Sequence, residues 1–280
     1  MEDLSQYCAT GSIYKEELIP VNENVTLRII SFIPAEDRHN PSIIFVAGWI
    51  TLISAWKKVL REMTKDFTIY YIETREKISS QVTGKVEYGV TDISKDIVTL
   101  ISHFNMKDKR YVLFGSSLGA SAILDCCRFL DRDPLCLVLI GPNAVFRVPR
   151  FGKVAIYLFP PPLYLIIKPV VKWYLKTFRL DIESDYEQYE KYCGNLDAAD
   201  PWKLKKAVMN LWNWEAWDLL KDIYYPTLIA GASKDSLHEP ENLKKMISMM
   251  PNATYIDLET NKKTHSAEIV EEMRNYISGL

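Results

Sequence analysis

Short apolar runs alternate along this chain with longer segments whose apolar residues recur at helical spacing. Residues 42–47 (SIIFVA) are continuously apolar, which is typical of a strand buried on both faces of a parallel sheet. Residues 92–104 instead place five apolar side chains on one helical face. Repeated units of this kind predict an α/β fold with a mostly parallel central sheet flanked by helices.

The same reading predicts the other elements and one interruption. Two extended segments within residues 12–33 come before the first buried strand. The remaining predicted strands are 67–72, 111–114, 135–140, 227–231 and 254–258, and the predicted helices are 56–63, 92–104, 118–129, 241–250 and 266–277. The alternation breaks between residues 143 and 211. We therefore expect a helical cap at 146–211, inserted after the sixth strand, on a core domain of 1–145 and 212–280.

The expected cap has its own composition. Residues 146–180 contain seven basic side chains, eight aromatic ones and no acidic ones. Because the whole chain has a net charge of -2, the rest of it carries -9. Apolar side chains of the cap are expected to line a binding pocket at the sheet edge. The expected pocket residues are Phe146, Phe151, Tyr157, Phe159, Tyr164 and, from the core, His238.

The basic and aromatic character of the cap is open to two interpretations. Basic residues interleaved with Trp173 and Tyr174 suit contact with an anionic membrane surface. Lys168, Lys172 and Lys176, spaced by four, equally suit a solvated helix face whose opposite side packs on the core, and this interpretation is favoured. No nucleic-acid-binding motif accompanies the charge, so nucleic acid is not an expected partner.

Neither a membrane span nor a disulfide framework is expected. The longest uncharged stretches have 17 and 14 residues, below the roughly 20 apolar residues that cross a bilayer. The N-terminus lacks the features of a signal peptide, so we expect a cytoplasmic protein. The five cysteines are odd in number and include no CxxC pair, so they suggest neither a disulfide framework nor a zinc site. We expect no bound metal and no cofactor.

Residues 115–119 (GSSLG) stand between a predicted strand and a predicted helix. A serine on such a sharp turn needs glycine two positions before and two positions after it, since larger side chains would collide there. Gly115 and Gly119 meet this condition for Ser117, whereas Ser116 would have bulky residues at both positions. The spacing selects Ser117 as candidate nucleophile, although a tight turn without chemistry has the same pattern.

A serine hydroxyl needs an imidazole base and a carboxylate that orients the base. Asp235 and His265 each follow a later predicted strand, in the chain order that this geometry favours, so both are expected at the same sheet edge as Ser117. The rival carboxylate Asp222 precedes its strand, and Asn143 stands where another acid would follow residues 135–140.

Elimination among the four histidines supports His265. His39, in a polar loop, and His103, on the back of a helix, are both expected on the surface. His238 is the main competitor, but it lies only three residues from Asp235, too close for the usual separation of acid and base.

Acyl transfer also needs donors for the oxyanion of the tetrahedral intermediate. The backbone N–H of Leu118 begins the helix after the nucleophile, where the helix dipole favours negative charge. The second expected donor is the N–H of Trp49, because Gly48 lets the loop after residues 42–47 turn closely.

Several blocks in order resemble the α/β-hydrolase superfamily over nearly the whole chain outside the cap. They are FVAGW (45–49), YYIETREKISS (70–80), YGVTDISKDI (88–97), LFGSSLG (113–119), YYPTLIAGASKDSLHEPENL (224–243) and TNKKTHSAEIVEEM (260–273). The resemblance implies a catalytic triad of Ser117, Asp235 and His265, with Trp49 and Leu118 as oxyanion donors. It also implies hydrolysis of esters or thioesters through an acyl-enzyme, and the apolar cap favours a substrate with an apolar acyl group.

The departures from the family pattern leave alternatives open. Ala47 replaces the histidine of the oxyanion segment, and Glu76 and Ile78 replace two glycines. A tryptophan at position 49 resembles the cofactor-free haloperoxidases and perhydrolases of the same fold. Acyl transfer to an alcohol and a catalytically silent binding protein are further alternatives, whereas the serine at 117 disfavours haloalkane dehalogenase chemistry.

Overall fold

The computed structural model describes residues 3–36, 38–106, 110–180, 182, 185–234 and 240–280. Within them one mixed sheet has the strand order β1-β2-β4-β3-β6-β7-β8-β9, with the short β5 paired to β2. The strands are β1 Ile13–Asn22, β2 Val25–Ile33, β3 Ser42–Val46, β4 Ile69–Glu73, β5 Gln81–Val82, β6 Tyr111–Ser116, β7 Cys136–Ile140, β8 Thr227–Gly231 and β9 Ala253–Asp257. The pairs β1–β2, β2–β4 and β2–β5 are antiparallel. The strands β4-β3-β6-β7-β8-β9, in their spatial order, are parallel.

Helices cover both faces of this sheet. Those of the core are α1 Lys57–Met63, α2 Val90–His103, α3 Leu118–Cys126, α8 Trp217–Leu220, α9 Pro240–Met249, α10 Asn261–Thr264 and α11 Ala267–Ser278. Alternate residues of β6 enter opposite core clusters, because successive strand side chains point to opposite faces. Leu113 packs with α2 and α3, and Phe114 packs with α1 and α11. The central strands are therefore apolar throughout, as expected of a sheet buried on both faces.

The predicted α/β architecture is confirmed, with shifts at element ends. Helix α2 begins two residues earlier than predicted, at Val90, where the Asp92 carboxylate accepts a hydrogen bond of 3.1 Å from the Gly89 N–H. The insertion follows β7, which is the sixth of the longer strands because the two-residue β5 was not predicted. Such a short pairing has no apolar periodicity to reveal it.

The insertion is helical, as predicted, and has two layers. It consists of α4 Arg150–Leu158, α5 Tyr164–Tyr174 with a π-helical continuation Leu175–Arg179, α6 Tyr186–Ala198 and α7 Pro201–Leu211. Helix α4 packs on α7, and α5 packs on α6. Ala207 and Leu211 of α7 reach the main core, whereas α4 and α5 contain no buried residue. The inner layer is therefore α6 with α7, and the outer layer is α4 with α5.

The helices of the described residues are short compared with membrane spans. No single helix among the described residues is long and apolar enough to cross a bilayer. The pair Arg150–Leu158 and Pro161–Arg179, bent by 110°, meets the length and composition criteria only when its two members are taken together.

Candidate active site

Ser117 lies on a strained turn between β6 and α3. Its φ of 49° and ψ of -115° are unusual for a residue with a side chain. The Ser117 N–H donates to the carbonyl of Ile140 at 2.8 Å, which ties the turn to the end of the neighbouring strand β7. Strain of this kind persists only where surrounding structure enforces it, and here it holds a nucleophilic side chain at the carboxyl edge of the sheet.

The two glycines of the turn have no room for a side chain. A Cβ on Gly115 would lie 2.9 Å from the backbone of Ala120, and one on Gly119 would lie 2.1 Å from the carbonyl oxygen of Val46. These contacts are far shorter than van der Waals separation. The steric argument that selected Ser117 over Ser116 therefore matches the packing around the turn.

Asn143 is the side chain that contacts the Ser117 hydroxyl. It follows β7, and its Nδ2 donates to Ser117 Oγ at 3.2 Å. Ser121 of α3 fixes Asn143 through two hydrogen bonds, one from the Asn143 N–H to Ser121 Oγ at 3.1 Å and one from Ser121 Oγ to the Asn143 carbonyl at 2.8 Å. Sequence reasoning considered this position only as a missing acid. Its signal was its place directly after the strand beside β6.

The loop after β3 approaches Ser117 closely, as the expected oxyanion segment should. A Cβ on Gly48 would lie 3.4 Å from the Cβ of Ser117. On the other side of the nucleophile, Leu118 is the first residue of α3, so its N–H has no partner within the helix. The loop bearing Trp49 and the start of α3 therefore flank Ser117, which is compatible with the oxyanion donors expected at Trp49 and Leu118.

Contacts from two directions hold this loop in place. Lys77 Nζ donates to the Thr51 carbonyl at 2.7 Å, and Asn195 of the cap accepts a hydrogen bond of 3.0 Å from the Leu52 N–H. Lys203 of α7 donates to the Lys77 carbonyl at 2.6 Å. Burial lowers the pKa of both lysines. The inner cap helices are thus fastened to the loop that approaches the nucleophile.

An ion pair orders the segment that follows β4. Arg75 and Asp96 are both buried, and Arg75 Nε and Nη2 bind the two carboxylate oxygens at 2.8 and 2.6 Å. A further guanidinium nitrogen donates to the Glu87 carbonyl at 2.7 Å. Two parallel bonds fix both partners in orientation as well as distance. These contacts therefore hold Arg75 and the start of this segment in place.

His265 lies at the end of α10, against the buried indole of Trp56. The two rings stack with centroids 4.2 Å apart. His265 Nδ1 lies 3.0 Å from the Asn261 carbonyl and 3.0 Å from Thr264 Oγ1, and this hydroxyl itself donates to the same carbonyl at 2.8 Å. The carbonyl can only accept, so the pattern assigns the proton to Nδ1 and leaves Nε2 of a neutral ring as a base.

The structure describes Ser117 and His265 of the predicted triad but does not show them in contact. Asp235 and His238 lie outside the described residues. In the part of the chain that the structure describes, no hydrogen bond joins His265 to Ser117, whose hydroxyl is bound by Asn143. The Ser117–Asp235–His265 triad therefore stays a prediction, supported by the turn geometry of Ser117 and by the tautomer of His265.

Structural comparison places the chain among proteins of one fold. No protein-family model and no curated relative matches it. A thermophilic esterase from Thermogutta terrifontis superimposes with a TM-score of 0.74 at 16% identity, covering 95% of this chain and 99% of the other. A membrane phospholipase A, a bacterial virulence factor, gives 0.72 at 16% identity over 95% and 86%. A bromoperoxidase from Bacillus anthracis gives 0.72 at 14% identity over 94% and 100%.

The chain has the α/β-hydrolase fold. At these identities the likeness establishes the architecture and not the reaction, because one fold carries many activities. In this α/β-hydrolase fold, ligands bind beyond the carboxyl ends of the strands, which is where Ser117 and the cap lie.

Two of the aromatic side chains expected to line the pocket of this α/β-hydrolase fold lie on the outside of the cap. Phe151 and Tyr157 are 80% and 67% exposed on the outer layer, so they do not line a pocket. They were placed wrongly because hydrophobicity alone does not say which face of a helix is inward. Phe146 and Phe159 are half-buried, and Phe146 lies beside Trp214 with centroids 5.9 Å apart.

Tyr164 also faces inward, as a half-buried residue of the cap. Its hydroxyl donates to the Leu196 carbonyl at 2.7 Å. Burial raises the pKa of this phenol to about 12, so it stays protonated and serves as a structural link between α5 and α6.

The cavity beside His265 is lined mainly by charged and polar residues. Its volume is about 320 Å³, and its walls come from α1, α6 and the segment before α11. Lys58, Glu187 and Lys191 contribute to it, whereas Ser117 does not. Lys58 binds Glu187 at 2.9 Å, and Lys191 binds the Asn261 side chain at 3.0 Å. Helix α6 therefore closes the histidine side of the site through charged contacts.

Proposed function

We propose that this protein is a serine hydrolase that cleaves carboxylic esters or thioesters with an apolar acyl group. The observation that carries the proposal is the conformation of Ser117, strained at φ 49° on a strand-to-helix turn whose two glycines admit no side chain. This turn presents a hydroxyl at the binding edge of the fold. An ordinary connection between a strand and a helix needs no such strain.

The proposed reaction proceeds in two acyl-transfer steps. Ser117 Oγ attacks the ester carbonyl carbon while His265 Nε2 accepts its proton, and the backbone N–H groups of Trp49 and Leu118 stabilise the resulting oxyanion. Collapse of the intermediate breaks the bond to the leaving alcohol or thiol, which takes the proton from His265. Water then attacks the acyl-enzyme in the same way and releases the acid and free Ser117.

Asp235 is the proposed partner that orients His265 during these steps. The hydrogen bond of His265 Nδ1 to the Asn261 carbonyl already selects the required tautomer. The carboxylate would add stabilisation of the imidazolium that forms when Ser117 is deprotonated.

The apolar acyl group is supported by the aromatic residues near the nucleophile. Phe146, six residues after the end of β7, packs with Trp214, and Trp49 packs against the same core cluster. Burial of an alkyl chain against such side chains favours binding by about 0.8 kcal/mol per methylene. The esterase and the membrane phospholipase A among the structural neighbours are consistent with substrates of this class.

Labelling with a fluorophosphonate probe tests the nucleophile. Wild-type protein and the Ser116→Ala variant should both react, and Ser117→Ala should not. Ser116 is the matched control because it is the adjacent buried residue of the same turn. If the folded wild-type protein does not react, or if Ser117→Ala still reacts, the hydrolase proposal is wrong, and a binding protein becomes the better account.

A panel of p-nitrophenyl esters from acetyl to palmitoyl tests the acyl group. We expect kcat/KM to rise with chain length over the first members. A strong preference for acetyl would contradict the apolar acyl site while leaving the nucleophile assignment intact. Addition of acceptor alcohols and analysis for new esters separates hydrolysis from acyl transfer.

A second candidate activity is cofactor-free perhydrolysis. It is favoured by Trp49, directly after the oxyanion glycine, and by the bromoperoxidase among the structural neighbours. In this reaction hydrogen peroxide replaces water in the attack on the acyl-enzyme, so a peracid is released in place of the acid. Bromination of monochlorodimedone in the presence of acetate, bromide and hydrogen peroxide measures it, and the Ser117→Ala variant should be inactive.

A further inference from the structure

Helix α4 exposes its apolar side to solvent. Phe151, Val154 and Leu158, at helical spacing, are all exposed. The side that faces inward includes Lys153, whose ammonium group lies 5.1 Å from the centre of the Trp212 ring. A surface helix of a water-soluble domain has the opposite arrangement, with its apolar stripe toward the core. Helix α4 is therefore amphipathic in the inverted sense.

Helix α5 shows the same inversion. Lys168 and Lys172 are only 19% and 24% exposed, and both bind Asp197 of α6, at 2.9 and 2.6 Å. Hydrogen bonds from Lys172 and Lys168 lower the pKa of Asp197. The favoured interpretation of the lysine spacing, a solvated outer face, is wrong for these two residues. Charge faces α6, and apolar side chains face outward.

The exposed apolar side chains of α4, of α5 and of the turn and π-helical segment next to them are here called the outer cap face. Its members are the exposed residues Phe151, Val154, Tyr157, Leu158, Leu163, Leu165, Ile166, Ile167, Val170, Trp173, Tyr174 and Phe178. Scattered exposed apolar residues are normal on proteins, but a set of this size on adjacent helices marks an interaction surface. The prolines at 160–162 join the two helices without a polar break.

The charges around this face indicate what covers it. Arg147, Arg150 and Lys176 are exposed at its two ends, and residues 146–180 contain no acidic side chain. A symmetric contact between two copies would place these positive charges against their own equivalents, which is unfavourable. An anionic bilayer complements both features, since it accepts apolar and aromatic side chains between lipids and attracts a basic rim.

We propose that the outer cap face docks in the interface of an anionic lipid bilayer. Helices α4 and α5 then lie in the interface without crossing it, consistent with the 110° bend that separates them. The docking surface is independent of the proposed esterase activity. A protein without catalysis would still bind the bilayer through it.

Flotation of the full chain with vesicles tests the proposal. The probes are vesicles of phosphatidylcholine alone and of phosphatidylcholine mixed with phosphatidylglycerol. The disrupting variant is Phe151→Glu with Ile166→Glu. The matched control is Ile13→Glu with Tyr224→Glu, which adds the same charge at apolar residues of comparable exposure outside the cap. All four residues are exposed, so thermal unfolding of both variants should resemble that of wild type.

We expect wild type and the control variant to float with the anionic vesicles, and the cap variant to bind at least roughly tenfold more weakly, since it loses the burial of two large side chains. Replacing Arg150 and Lys176 by glutamine should reduce the preference for anionic vesicles. The proposal is overturned if wild type does not bind, if both Glu variants bind equally, or if uncharged vesicles bind as well as anionic ones. It is also overturned if sedimentation shows a stable wild-type dimer that the cap variant alone abolishes.

Discussion

Replacing either of two helix glycines by alanine should change the free energy of unfolding, but in opposite directions. Gly119 is the second residue of α3, and a Cβ there would lie 2.1 Å from the Val46 carbonyl oxygen and 2.7 Å from that of Ala47. Gly194 lies inside α6, and a Cβ there would lie no closer than 4.0 Å, to the side chain of Leu52. Gly119→Ala therefore adds a methyl group where there is no room for it. Gly194→Ala adds the same group in open space.

The magnitudes follow from these distances. A carbon–oxygen contact of about 3.3 Å would require α3 and the end of β3 to separate by about 1 Å at Gly119. Overpacking of this kind costs about 1–3 kcal/mol, and the helical preference of alanine offsets at most about 1 kcal/mol. The upper end of that range applies because the clash is with backbone atoms of Val46 and Ala47, so we expect Gly119→Ala to lower the free energy of unfolding by about 2 kcal/mol. Gly194→Ala should raise it by up to about 1 kcal/mol, because only the propensity gain applies.

Urea unfolding at neutral pH measures both changes, and the rate of fluorophosphonate labelling reports on the site. Gly119→Ala should label more slowly, since the shift of β3 moves the loop at Gly48 away from Ser117. Gly194→Ala should label at the wild-type rate. A Gly119→Ala variant as stable and as reactive as wild type would refute the packing argument for the nucleophile turn.

Three further predictions concern single contacts. Asn143→Ala removes the hydrogen bond to the Ser117 hydroxyl. Fluorophosphonate labelling should slow roughly tenfold, and the free energy of unfolding should fall by about 1 kcal/mol. Unchanged labelling would show that the contact does not position the Ser117 hydroxyl. Trp56→Ala should lower the free energy of urea unfolding by about 3–5 kcal/mol and slow labelling by releasing the His265 ring. A smaller cost would mean that the surrounding core fills the cavity left by the indole. Because the folded-state pKa of Asp197 is lowered from 3.8, its bond to the α5 lysines is complete above that pH and is lost as pH falls through the lowered value. The protection factors of the α5 amides, which are exchange rates relative to the intrinsic rate at the same pH, should therefore fall in acid for wild type, whereas those of Asp197→Asn should be low throughout.

The nucleophile turn could be read from local sequence because its requirements are local. A strained serine needs glycine at fixed positions, and Gly115 and Gly119 show this need before any fold is known. The close approach of the loop at Gly48 to Ser117 was predictable for a similar reason, since Gly48 follows a buried strand after one residue. Asn143 was not assigned a role, because its contact with Ser117 depends on the lateral pairing of β6 with β7.

His265 illustrates both kinds of information. Its place after a late strand selected it as the candidate base. The stacking on Trp56 and the hydrogen bond to Asn261 that fixes its tautomer needed the tertiary structure, because one partner lies more than 200 positions away.

By itself, the sequence determined the α/β architecture, the position of the helical cap and the candidate nucleophile, because hydrophobic periodicity and turn sterics act over a few residues. Only the tertiary structure decided which way the cap helices face. A helical period shows that α4 and α5 have an apolar side, but the direction of that side depends on what α6 and α7 offer. Asp197 draws Lys168 and Lys172 inward, and the apolar side is left on the outside.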